Sequence, residues 1–167
     1  TDVADKSSYA APLPWNNTGA NPHSGNLISN LADDNGDVTS IGLQITSPWE
    51  NIAGGDAENH QGTVTGNNSG IYPDNVLATA YYTENSTIQT MKVTGLSTDS
   101  NYKYTLIFLG NRAASDNRNT TYSANGTSVT LNAAAKTNNT GQINYLLPDS
   151  TGAITFTLQS GSGSSYG

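Results

Sequence analysis

An all-β sandwich is the fold this sequence predicts, and three observations lead there. Short stretches of alternating apolar and polar residues recur roughly every ten residues, separated by Gly, Asn, Asp and Pro. No stretch carries apolar residues at helical spacing for more than one or two turns. Ser, Thr and Asn supply 61 of the 167 residues, whereas Leu, Ile, Val and Phe supply 29. That balance suits half-buried pleated surfaces joined by turns rather than an aliphatic helical core. The length predicts one domain over 1–167, with an irregular N-terminal segment over 1–14 and a flexible Gly/Ser-rich end over 161–167.

So few aliphatic residues raise the alternative of disorder. Charged residues are only 11% of the chain, so self-repulsion is weak. Nine Tyr, two Trp and two Phe lie within or beside the alternating segments, enough to build a core.

The elements read in order as follows. Residues 1–40 are turn-rich, broken by Pro12, Pro14 and Pro22, with one short apolar patch over 27–31. Ile41–Thr46 is the first clear strand, with Ile41, Leu43 and Ile45 on one face. Residues 47–75 form a long loop, of the kind that usually carries function or mobility. Val76–Tyr82 and Thr87–Thr94 follow as strands. Tyr102–Leu109 is the strongest, with Tyr102, Tyr104, Leu106 and Phe108 on one face. A polar loop covers 110–118. Asn119–Ala124 and Thr127–Leu131 flank Asn125-Gly126, the best short hairpin signal in the chain. Gln142–Leu147 and Ala153–Gln159 complete about eight short antiparallel strands.

Composition excludes several classes. There is no Cys, which removes disulfide scaffolds, thiol catalysis and Cys-based metal centres. No apolar run approaches the length of a membrane-spanning helix. Thirteen acidic against six basic residues, a net charge of -7, argues against a nucleic-acid partner and against anionic membranes. Catalytic constellations are thin. The two His, His23 and His60, lack an orienting neighbour pattern, and only Glu50, Glu58 and Glu84 are available to a paired-carboxylate glycosidase. An Asp56/Glu58/His60 site on the long loop is conceivable, and an esterase or glycosidase ranks last.

Three groups of residues point to binding. Asp33, Asn35 and Asp37 alternate around Gly36 and present hard oxygen ligands suited to a structural Ca²⁺; the acidic residue that would complete an EF-hand loop is missing, and an Asx-rich turn explains the same residues. Trp15, Trp49 and Tyr72 are flat apolar platforms for the CH face of a sugar, with core or edge packing as the alternative. Arg112 and Arg118, the only two arginines, bracket Asp116 and Asn117 in one loop. They either grip hydroxyls or carboxylates of a ligand or pin the loop through an Arg–Asp pair. Asn16, Asn67, Asn85, Asn119, Asn125 and Asn138 fit the glycosylation pattern, at a frequency this Asn/Ser/Thr content produces by chance.

Gly95-Leu96, the Tyr102–Phe108 strand, Gly110-Asn111-Arg112, the run from Asp116 to Tyr122, Leu131-Asn132-Ala133, Pro148-Asp149 and Gly152-Ala153-Ile154 occur in an order that resembles a galactose-binding-like jelly-roll module of secreted bacterial surface proteins and polysaccharide-degrading enzymes. Trp15-Asn16-Asn17 and Asn30-Leu31-Ala32-Asp33 resemble its opening stretch. The resemblance spans most of 15–167. It implies a jelly-roll β-sandwich, an extracellular or cell-surface location, no catalytic machinery and a polysaccharide or cell-surface glycan as partner. The platforms and the arginine loop named above, Trp15, Trp49, Tyr72, Arg112, Asp116, Asn117 and Arg118, are then the expected ligand-binding set. A strand expected before Trp15 and one expected after Gly167 are not in the sequence. Either the chain is a trimmed piece of a longer protein or a partner completes the edge; the second gives the alternative function, a structural or adhesive subunit of an extracellular filament or long adhesin, joined to neighbouring domains or copies of itself by strand exchange at unpaired edges.

Overall fold

A computed structural model describes residues 15–16, 25–47, 76, 83, 87–110, 115–134 and 139–165. Among these are eight strands: β1 (Gly25–Ile28), β2 (Gly42–Ile45), β3 (Gln89–Thr94), β4 (Tyr104–Gly110), β5 (Asn119–Ala124), β6 (Thr127–Asn132), β7 (Asn139–Leu146) and β8 (Ile154–Ser160). They form two antiparallel sheets. One has six strands in the order β1-β2-β3-β8-β5-β6, and the other pairs β4 with β7. The protein is an all-β sandwich, as its alternation predicts. No helix among the described residues is long and apolar enough to cross a membrane.

Three pairings are nested: β5 with β6, β4 with β7 outside them, and β3 with β8 outside both. The innermost hairpin turns on Asn125 and Gly126, both at positive φ, the conformation a tight two-residue turn demands.

Register aligns the inward side chains into rows. Ile45, Met91, Phe156 and Ala124 lie on one row across four strands, and Gln89, Leu158, Tyr122 and Val129 on the next. Their outward neighbours are polar: Thr90, Thr157, Ser123 and Ser128 share a row, Gln159, Thr121 and Thr130 another, and Gln44, Lys92 and Thr155 a third. The Thr121 and Thr130 hydroxyls hydrogen bond at 2.9 Å, and those of Ser123 and Ser128 at 2.7 Å. The period-two pattern thus separates core from solvent along every central strand.

Phe108 of β4 bridges the sheets. Its ring stacks on Tyr122 with centroids 4.1 Å apart and meets Phe156 at 5.5 Å. Ile143 and Leu146 of β7 and Ile154 of β8 complete the buried centre. At the far end of the small sheet, glycine permits close approach. A Cβ on Gly110 would stand 2.7 Å from Leu131, and one on Gly141 3.1 Å from Val129.

Three details depart from the sequence reading. The irregular opening stretch contains β1, a short bulged strand paired with β2. Val76, the one described residue of the Val76–Tyr82 candidate strand, is helical. Tyr102, expected on one face with Tyr104, Leu106 and Phe108, is exposed, and the inward positions of β3 are Gln89, Met91 and Val93. β1 owes its strand to pairing with β2, and the register of β3 against β2 and β8 sets which of its residues face inward.

Candidate functional site

The corner holding Asp116, Asn117 and Arg118 is built from three chain segments. Arg118 Nε donates to Asp116 Oδ1 at 3.1 Å, and Nη2 meets Oδ2 at 3.0 Å, a two-pronged pair. The arginine side chain is 16% exposed and the aspartate 58%. The Arg118 backbone N–H and that of Ala134 both donate to Asn132 Oδ1. Asn132 Nδ2 donates to Asn117 Oδ1, and Asn117 Nδ2 to the Ser162 carbonyl. Ser164 Oγ donates to the Asn117 carbonyl at 2.8 Å, and the Gly161 N–H to that of Asn119 at 2.7 Å. This geometry supports the pinning role for Arg118. It also ties down residues 161–164, where composition alone suggests flexibility.

Asp33, Asn35 and Asp37 sit in a tight turn closed by the Ala32–Val38 bridge. Asp33 Oδ1 accepts the N–H groups of Asn35 and Asp37, each at 2.9 Å. The Asp33 N–H donates to the Asp37 carbonyl, and the Gly36 N–H, at φ +87°, to that of Asp33. The same bonds recur in the Asp149–Ala153 turn. There Asp149 Oδ1 accepts from Thr151 and Ala153, the Asp149 N–H donates to Ala153, and Gly152 at φ +75° donates to Asp149. The second turn has Thr and Ala where the first has Asn and Asp. The Thr151 hydroxyl, then the two N–H groups, hold the Asp149 carboxyl below the usual carboxylate range. Both aspartates organise backbone. Among the described residues no group of three His, Cys, Asp or Glu is placed to hold a metal ion.

Trp15 is partly buried, and its neighbour Asn16 fixes it near the first of these turns. The Asn16 amide binds both backbone groups of Ala32 at 2.9 Å, imitating a strand partner. Trp49, Tyr72 and Arg112 lie outside the described residues, as do the segment 1–14, His23, His60, Glu50, Glu58 and Glu84. The structure therefore brings Asp116, Asn117 and Arg118 together, and ties Asn16, the residue after Trp15, to Ala32.

A different surface collects exposed binding groups. The β4–β7 register slips between Tyr104 and Leu106, so Asn144 and Tyr145 both fall between the buried Ile143 and Leu146. Tyr145 has φ +60° and is 81% exposed. Thr105 Oγ1 donates to Asn144 Oδ1 at 3.0 Å. Ile107 pairs with Gln142, and both are exposed, as is Leu147 past the bulge. Lys103 is the one charged residue in this strip. Sequence reading takes Gln142–Leu147 as a plain strand. The signal it leaves unused is the spacing of three between Ile143 and Leu146, which a strand can bury on one side only by inserting an extra residue.

Compared with known protein families, curated proteins and solved structures, the chain matches none.

Proposed function

We propose that the protein is a non-catalytic, polysaccharide-binding β-sandwich module of a secreted or cell-surface bacterial protein. One observation carries this reading: the outward rows of the six-stranded sheet are mainly hydroxyls and amides, broken by Lys92, and the strip on β4 and β7 sets the amides of Gln142 and Asn144 beside exposed Ile107, Tyr145 and Leu147. Sugars are bound by such groups, held in fixed geometry, together with an apolar platform. The nested strand pairs are also compatible with the jelly-roll order that such modules adopt. Electrophoresis through gels containing dissolved polysaccharides tests it. Retardation by at least one polysaccharide is expected, and unchanged mobility across a panel of neutral and acidic polysaccharides would sink the reading.

A second reading, self-assembly by strand exchange, draws on β4. Its seven residues, Tyr-Thr-Leu-Ile-Phe-Leu-Gly, contain no charge and no proline, the usual guards of a free edge. Among the described residues only β7 pairs with it. Sedimentation decides: a monomer at all concentrations removes this reading, and a ladder of multimers favours it.

A further inference from the structure

We propose that Tyr145 is the stacking platform of a binding site for a neutral polysaccharide laid along the outward face of β4 and β7. The inference rests on the polysaccharide-binding reading above and gives it a place and a charge class. The Tyr145 ring stands in solvent beside one of the two strand pairings whose register shifts among the described residues. A tyrosine at φ +60° is held against its own backbone preference, which surrounding packing must impose. Here the imposing groups are Ile143 and Leu146, buried on either side. Bulges of this kind re-aim side chains next to binding sites, and this one puts Tyr145 and Asn144 side by side in the solvent-facing strip.

The neighbours suit a sugar. The Thr105 hydroxyl bonds Asn144 Oδ1 and so fixes the amide while using neither of its Nδ2 hydrogens. Gln142 supplies a second exposed amide, and Ile107 and Leu147 extend the apolar part to either side of the ring. From Gln142 to Leu147 the strip runs on the order of 17 Å, the length of a short oligosaccharide rather than one sugar. A pyranose offers a CH face to a ring and equatorial hydroxyls to amides. Lys103 is the one charge in the strip, and the chain's net charge of -7 outweighs it in disfavouring polyanions.

The test is affinity electrophoresis of the full chain against a glucan, a mannan, a galactan and a xylan, with polygalacturonate as the polyanion. The wild type should be retarded by at least one neutral polymer. Tyr145→Asn, a residue that accepts this backbone conformation, should weaken binding tenfold or more with its thermal transition retained, and Tyr145→Trp should bind. Tyr145→Gly serves if the Asn variant does not fold. Undiminished retardation of these ring-less variants overturns the site and leaves the polysaccharide reading standing. Retardation by polygalacturonate alone overturns the neutral class. No retardation by any polymer overturns both the site and the reading. A concentration-dependent dimer that Tyr145→Asn abolishes, without glycan binding, assigns the face to a second copy and overturns the proposal.

Discussion

Phe108 and Tyr122 stack across the sandwich with planes 15° apart and centroids at 4.1 Å, so one ring pair fastens the two-stranded sheet to the six-stranded one. Phe108 also leans on Phe156. Truncating it removes the main cover of both rings and leaves a cavity. Phe108→Ala should cost about 3–5 kcal/mol, read as a lowered urea midpoint.

Tyr122 is the titrating member of that pair. Burial pushes its phenol up to about 12 from the ordinary 10.0, against a smaller opposing pull from its hydrogen bond with Thr120. A raised folded-state value means that the unfolded chain loses this proton first. The contribution is complete below pH 10 and declines as pH rises toward 12, by about 1.4 kcal/mol per pH unit. Tyr122→Phe should flatten the alkaline limb of the stability–pH curve in that interval. An unchanged limb would show that the phenol ionises freely in the fold.

Asp149 works at the acid end. Its carboxyl is held low by the Thr151 hydroxyl and by the Thr151 and Ala153 amides, so its contribution is present above pH 3.8 and is lost as pH falls through the lower folded-state value. Asp149→Asn should melt below the wild type at pH 7, and the two melting curves should converge under acid. Equal melting at neutral pH would contradict the role given to the carboxylate.

Asp33 separates the turn from a calcium site. Its Oδ1 already serves two amides, so Asp33→Ala should lower stability by about 1 kcal/mol, in line with loss of a comparable cap. The loss should be the same in Ca²⁺ and in chelator. A wild-type melting temperature that rises with Ca²⁺ and no longer does so in Asp33→Ala would instead establish the ion.

Much of the fold was legible because solvent-facing and core-facing residues alternate so regularly. Ile154, Phe156 and Leu158 announce β8, and Asn125-Gly126 locates the β5–β6 hairpin to the residue. What was not legible depends on partners far away in sequence. Gly25–Ile28 carries no pattern of its own and becomes a strand only because β2 offers an edge. In sequence Asp33 fits a Ca²⁺ ligand and an Asx-rich turn alike; the structure shows the turn, with the same bonds as the Asp149 turn, which has no ligand-like composition. Arg118 reads in sequence as either a ligand grip or a loop pin, and only the structure shows its ion pair with Asp116 two residues away. Tyr145 gives no sign of exposure in a strand where period two would set it beside Ile143. The bulge opposite Thr105 reverses that placement.

The nested pairing also fixes an order of events in time. Joining β3 to β8 in an open chain would close a loop of some sixty residues, a large entropic demand at the start of folding. Once the Asn125-Gly126 hairpin has formed, β4 and β7 are brought within reach of each other, and their pairing in turn shortens the path between β3 and β8. The chain should therefore zip outward from its hairpin, with β1 and β2 added last and a rate slow for its size because most contacts are non-local. Mutations at the hairpin should slow folding, and mutations in β2 should chiefly speed unfolding.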